Sequence, residues 1–126
     1  MLHLLLDEHI SPAVAREAAG KCPGLSIQAF QHWQAGRFLG APDRVLLPEA
    51  IKARLCLVTY DQKTIRPLLK EWAEQGVHHT GVIFVDAKTI PPQDLGGLVK
   101  ALCRLWTSER QADWTNRVVF LMRVED

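Results

Sequence analysis

Four acidic residues fall where predicted helices and strands begin or end. Asp7 and Glu8 follow an apolar run, Asp43 opens a helix, and Asp61 follows a second apolar run. Carboxylate oxygens are the ligands that Mg²⁺ and Mn²⁺ prefer, and a cluster of two to four could hold one or two ions. Such ions activate water and stabilise the leaving oxygen in phosphodiester hydrolysis. Asp86, after a later strand, is a weaker fifth candidate.

The adjacent pair Asp7-Glu8 has two interpretations. Neighbouring carboxylates repel each other, and a cation, or a phosphate-bearing ligand with its metal, would relieve the repulsion. Alternatively, one acid faces solvent and the other caps the helix that Ser11-Pro12 opens. The pair alone does not decide between a metal site and a helix cap.

Basic residues follow Asp61 and also lie on the helix before it. Lys63, Arg66 and Lys70 recur at i, i+3 and i+7 on the helix predicted after Asp61, and Arg44 and Lys52 lie on the preceding helix. Together they could form the local patch that an RNA or DNA backbone needs. A solvated helix face would show the same spacing.

Other chemistries lack their motifs. The chain has no G-x-S-x-G, no phosphate-binding G-x-x-x-x-G-K and no G-x-G-x-x-G. Its three cysteines are far apart without zinc-ligand spacing, which indicates a reducing compartment. Residues 77–80 are predicted to form a surface turn. The adjacent His78 and His79 in it are not expected to bind one metal ion, because neighbours cannot both face one side of a helix or strand.

Length and charge limit the remaining classes. The 126 residues fit one domain, and fifteen basic against fourteen acidic residues give a net charge of +1, so charge alone does not hold the protein to nucleic acid. No signal peptide pattern and no apolar run of about 18 residues occurs. We expect a soluble, cytoplasmic protein with no membrane partner.

Hydrophobic patterns predict an alternation of strands and helices. Pro48 is expected to interrupt the helix that starts at Pro42, giving a turn over 43–47 and a helix over 49–54. Residues 31–40 have no clear period and form a loop, in which Trp33 and Phe38 could either stack on a base or pack onto the core. Strands are predicted at 2–6, 25–30, 55–60, 81–85 and 117–124, with further helices at 11–21, 64–75 and from Pro91-Pro92 through Trp106. This order predicts a single three-layer, doubly wound α/β domain over residues 1–126, with a mostly parallel sheet between helices.

Three motifs in order resemble the uncharacterised PIN-like family of bacteria and archaea. Its members carry LLDEN-SP, GA-D and LVT-D, and this chain has LLDEHISP at 5–12, GAPD at 40–43 and LVTYD at 57–61. The later GVI at 81–83 and NRVVFL at 116–121 fit one branch of the family. The resemblance therefore covers nearly the whole chain.

The resemblance implies a PIN-like fold with a Mg²⁺- or Mn²⁺-dependent ribonuclease site. Asp7, Asp43 and Asp61 match the acidic metal positions, and Glu8 lies beside the first to complete the catalytic set. Arg44, Thr59, Lys63 and Arg66 are the expected substrate-binding residues. Many PIN-domain proteins are toxins inhibited by a small antitoxin, and PIN-like domains often pair through helices. A homodimer could use the stripe of Leu98, Leu102, Leu105 and Trp106, which otherwise belongs to the core.

Two positions depart from the family pattern. Relatives often have a second acid two residues after the position of Asp61, where this chain has Lys63, and an acid after the position of Asp43, where it has Arg44. Each replacement should weaken divalent-ion binding. A catalytically inactive RNA- or partner-binding module is therefore an alternative.

A receiver-type phospho-acceptor domain is a further alternative. Such a domain also has paired acids after its first strand and an aspartate after its third. It needs a hydroxyl residue after the fourth strand and a lysine after the fifth, where this chain has Asp86 and Glu125.

Overall fold

The computed structural model describes residues 1–125. One sheet of five strands has the order β2-β1-β3-β4-β5, and every neighbouring pair is parallel. The predicted α/β fold, with a parallel sheet between helices, is confirmed. The strands are β1 (His3–Leu6), β2 (Ser26–Ala29), β3 (Cys56–Thr59), β4 (Val82–Val85) and β5 (Val118–Leu121); the helices are α1 (Pro12–Lys21), α2 (Asp43–Lys52), α3 (Gln62–Glu74) and α4 (Leu95–Glu109).

Apolar residues on both faces of the central strands explain why helices cover both sides of the sheet. One core cluster joins the sheet to α1 and α4 through residues such as Val14, Leu98 and Leu102. The other joins it to α2 and α3 through Leu46 and Ile65. Leu98, Leu102 and Trp106 are buried and Leu105 packs against them, so this stripe belongs to the core.

Helix α2 is continuous, so the prediction that Pro48 interrupts it is wrong. Proline lacks one backbone donor, but its fixed φ is compatible with helix, and the cost is met here by burial of Leu46, Leu47 and Ala50 on the same helix. Asp43 still occupies the first turn, as the sequence predicted.

The loop after β2 packs onto the core. Trp33 is buried, and its ring stacks on Phe38 with centroids 5.1 Å apart, so Trp33 is not available to a base. Gln34 and Ala35 adopt left-handed backbone conformations at φ 50° and 55°.

The segment before β4 is not a surface turn throughout, because His79 is buried. The Gly81 amide donates to His79 Nδ1 at 3.0 Å, and the His79 amide donates to Asn116 Oδ1 at 3.0 Å. His79 thus ties the start of β4 to the turn before β5. Within residues 1–125, no helix is long and apolar enough to cross a membrane.

Candidate functional site

The acids lie at the carboxyl edge of the sheet, beside its topological switch point. From β1 the chain passes to β2 on one side, and β3 pairs with β1 on the other. Connections therefore diverge between the ends of β1 and β3, which is where open α/β sheets bind ligands. Asp7 follows β1 directly, and Asp61 lies two residues after β3.

One buried hydroxyl holds these two turns together. Thr59 is fully buried, and its Oγ1 donates to Asp7 Oδ2 at 2.7 Å while accepting from the Asp61 amide at 3.0 Å. The Asp7 amide also donates to the Val58 carbonyl at 2.9 Å. Thr59 therefore positions the acids. Its expected contact with substrate stays a prediction, but here the hydroxyl is buried and hydrogen-bonded on both sides.

Asp61 also has a structural role. Its Oδ1 accepts a hydrogen bond from the Thr64 amide at 3.0 Å, which makes Asp61 the N-cap of α3. The carboxylate is thereby fixed at the positive end of the helix dipole.

The pKa of Asp43 depends on the charges of the other predicted acids. Partial burial raises its pKa most, and the charges of Asp7, Asp61 and Glu8 raise it further. The nearby His9 acts in the opposite direction. Carboxylates from two turns that are remote in sequence therefore lie near enough for their charges to act on Asp43.

Asp86 does not join this group. Its Oδ1 accepts from the Lys88 amide at 3.2 Å in its own turn, and its backbone amide donates to the Leu121 carbonyl. It is also absent from the charges that raise the pKa of Asp43. The weaker fifth candidate is therefore a turn residue.

The donor set fits a hydrated divalent cation better than a fully protein-coordinated one. Within residues 1–125, no three histidine, cysteine or acidic side chains converge tightly enough to hold one ion directly. Mg²⁺ commonly keeps several waters and takes only one or two carboxylates, which these oxygen donors can supply. Partial burial raises the pKa of Asp43 most, and the charges of Asp7, Asp61 and Glu8 add to it; a cation would offset this repulsion.

Gln31 supports the turn after β1, and sequence reasoning missed it. Its Nε2 donates to the Glu8 carbonyl at 2.7 Å and, at 3.5 Å, to the Ile10 carbonyl. Its buried Oε1 has no hydrogen-bond partner in the part of the chain that the structure describes. The one available signal was its place just after β2, at the same sheet edge as Asp7.

The predicted basic patch is divided between the two sides of α3. Arg44 pairs with Glu71 at 2.6 Å, and Lys52 pairs with Glu49 at 3.5 Å. Arg66 instead lies over the ring of Phe120 in β5, at 5.8 Å. Arg44 and Lys52 therefore do not join Lys63, Arg66 and Lys70 in one surface.

No known family model, curated protein or solved structure matches the chain. Its functional class therefore rests on its own residues: a doubly wound α/β sheet with carboxylates gathered at its switch point.

Proposed function

We propose that this chain is a metal-dependent, PIN-like ribonuclease, in which Asp7, Asp43 and Asp61 hold a hydrated Mg²⁺ or Mn²⁺, in part through its water ligands. The observation that carries the proposal is the buried Thr59 hydroxyl, which joins the turns of Asp7 and Asp61 at the carboxyl ends of β1 and β3. The raised pKa of Asp43, to which nearby carboxylates contribute after burial, supports it. The ordered motifs at 5–12, 40–43 and 57–61 support the same class. Lys63 in place of a further acid favours a single ion.

The bound ion would supply Lewis acidity and lower the pKa of a coordinated water. Thr59 fixes the Asp7 carboxylate and the Asp61 backbone, and the Thr64 amide fixes the Asp61 carboxylate, so that neither acid need reorganise when the ion binds. Glu8, on the same turn as Asp7, would orient the attacking water. Lys63, exposed in the first turn of α3, would hold a substrate phosphate beside Asp61.

The test combines metal titration with cleavage of a mixed single-stranded RNA pool. The variants are Asp7→Asn, Asp43→Asn and Asp61→Asn, with Asp86→Asn as the matched control. Asparagine is preferred at position 61 because alanine would also remove the cap of α3, at a cost of about 1 kcal/mol. We expect metal-dependent cleavage by the wild type and Asp86→Asn, and none by the other three.

Two results would contradict the ribonuclease. Metal binding without cleavage would assign the chain to the binding-module alternative, in which RNA or a partner protein is held without reaction. Cleavage that persists in all three site variants would place the active site elsewhere or indicate a contaminant. The proposal also includes a cytoplasmic location, a small antitoxin partner and a homodimer. Each of these needs its own experiment.

The strand order favours a receiver-type phospho-acceptor as the second candidate. The order 2-1-3-4-5 is that of flavodoxin-like folds, in which receivers also have an aspartate after β3. Two positions argue against it. Asp86 follows β4, where a receiver needs a hydroxyl residue. Arg123, after β5, is not the lysine that a receiver needs, and it pairs with Asp94 at 2.6 Å. Incubation with acetyl phosphate and Mg²⁺ distinguishes the classes, since a receiver would gain one phosphoryl group at Asp61.

A further inference from the structure

The outermost strand β5 has an apolar face that the helices leave partly exposed. Val118 and Phe120 of this strand are 39% and 47% exposed, and Met122, just after it, is 58% exposed. Helix α3 packs on this side of the sheet, but α4 packs with α1 on the opposite side. The other edge strand, β2, instead places Ser26 and Gln28 along its length. Apolar exposure is therefore particular to the β5 edge.

The same residues of β5 direct their backbone groups outward. The Arg117 carbonyl accepts from Val82 at 3.0 Å and the Leu121 carbonyl accepts from Asp86 at 2.9 Å, so both face β4. Backbone groups alternate in direction along a strand, which turns those of Val118 and Phe120 away from β4. An edge of this kind is a template for an additional strand.

A basic stripe on α3 runs beside this edge. Arg66 lies 5.8 Å from the centroid of Phe120, and Lys70 lines a cleft of about 380 Å³ together with Val118 and Val77. Lys63 lies one turn before Arg66 on the same helix. No acidic side chain of residues 1–125 pairs with Lys63 or Lys70. The stripe is bounded by Glu74, one turn beyond Lys70.

From these features we propose that the β5 edge and the α3 stripe bind an extended acidic segment of a partner protein, which adds to the sheet as a sixth strand. Strand addition takes its affinity from main-chain hydrogen bonds and its specificity from alternate side chains. Apolar residues of the segment contact Val118, Phe120 and Met122. Its acidic residues pair with Arg66 and Lys70.

The charges disfavour the two other occupants. A second copy, pairing β5 with β5, would bring two α3 stripes of the same sign toward each other. Single-stranded RNA would match the charge, but its bases bind by stacking on several aromatic rings, and Phe120 is the one aromatic residue of this strand. RNA also leaves the outward backbone groups of Val118 and Phe120 unused.

Amide NMR with a synthetic peptide that alternates glutamate and valine tests the proposal. The amides of Val118, Phe120 and Met122 should shift on titration, and those of Val118 and Phe120 should become protected from solvent exchange. A peptide N-methylated on the residues that bond to β5 should lose binding, whereas one methylated on the intervening residues should retain it. A matched lysine–valine peptide should not bind.

Protein variants locate the charge contribution. Arg66→Glu with Lys70→Glu should weaken the glutamate–valine peptide by about tenfold or more, since like charges at an interface are repulsive. Arg16→Glu, at an exposed position of α1, is the matched control and should bind the peptide as the wild type does. Phe120→Thr should weaken binding while its melting temperature confirms that the variant is folded.

Four outcomes would overturn the proposal. These are no peptide binding, equal binding of both N-methylated peptides, and unchanged affinity in the charge-reversed variant. The fourth is occupancy of the edge by another ligand: a β5-dependent dimer in sedimentation, or shifts at Phe120 produced by an RNA oligonucleotide and not by the peptide. None of these results depends on cleavage by the acidic site.

Discussion

At the residue scale, the bridging hydroxyl of Thr59 is the most specific device of the candidate site. It joins Asp7 to the Asp61 amide without access to solvent. The sequence identified Thr59 only as a neighbour of Asp61. The bridge could not be predicted, because it depends on β1 pairing with β3 across 52 residues.

We expect Thr59→Val to keep the fold and weaken metal binding. Valine matches threonine in shape but leaves the Asp61 amide without its acceptor, which costs about 1–3 kcal/mol of stability. Asp7 would also lose its fixed orientation. Urea unfolding and calorimetric Mn²⁺ titration measure the two effects, and Thr59→Ser should restore metal affinity. Equal Mn²⁺ affinity in Thr59→Val would show that the bridge does not position the acids.

The raised pKa of Asp43 predicts that the stability of the metal-free protein depends on pH. Because folding raises its pKa above the ordinary value of 3.8, its contribution favours folding below that pH and is lost as the pH rises through the folded pKa. Solvent screening limits the effect to less than about 1 kcal/mol. Asp43→Asn should flatten this part of the stability curve, as measured by melting temperature against pH.

The control for Asp43→Asn is Asp113→Asn. Hydrogen bonds from Thr115 lower the pKa of Asp113, so its slope has the opposite sign. Added Mg²⁺ should remove the Asp43 slope in the wild type. A slope that survives Asp43→Asn would mean that another group causes it.

At the element scale, α1 and α4 bring together two cysteines that the sequence separates widely. Burial raises the pKa of Cys103 most, and the nearby Cys22 raises it further. Both cysteines line a cleft with Lys21 and Arg104. The sequence does not indicate this proximity, since nothing local to either position reveals how α1 packs on α4.

Under oxidising glutathione we expect Cys22 and Cys103 to form a disulfide. The bond would close a loop of roughly 80 residues and stabilise the fold by about 4 kcal/mol in the chain-entropy model. Peptide mapping and the melting temperature with and without reductant are the measurements. Cys22→Ser should abolish the shift, and the buried Cys56 should remain unmodified. A disulfide that lowers the melting temperature would reveal strained geometry.

Most helices and strands could be predicted because buried parallel strands appear in the sequence as local apolar runs. The cores of β1, β3 and β4 follow from residues 4–6, 57–58 and 82–85. The prediction at Pro48 was wrong because the cost of a proline within a helix is local, whereas the burial that outweighs it depends on tertiary packing. Helix α4 begins only at Leu95, where Asp94 caps it by accepting from the Gly97 amide.

At the scale of the whole molecule, the sequence predicted a doubly wound sheet but not its strand order. The order is set by which side of β1 receives β3, and no local pattern encodes that choice. The turns of Asp7 and Asp61 nevertheless meet at one edge, because parallel strands all end at the same edge whatever their order. That Glu8 and Asp43 join them in one site stays a prediction.

His79 should make the whole molecule less stable in mild acid. Burial, with a smaller effect of His78, lowers its pKa below the ordinary 6.5, so stability present above that pH is lost as the pH falls through the folded pKa. Protonation would also break the acceptor bond from Gly81. His79→Gln should reduce the dependence of the melting temperature on pH between about pH 5 and 7. A pH dependence that survives in His79→Gln would show that another group causes it.

The position of β5 also sets how the molecule opens locally. Residues 7–61 contain all four acids, in the turn after β1, on α2 and in the turn after β3, whereas β5 is an edge strand bonded to β4 alone. Edge elements with solvent-exposed backbone open at lower free energy than central strands. Amide exchange should therefore be faster in β5 than in β1 and β3, and β5 could detach transiently while the Asp7–Thr59–Asp61 bridge stays closed.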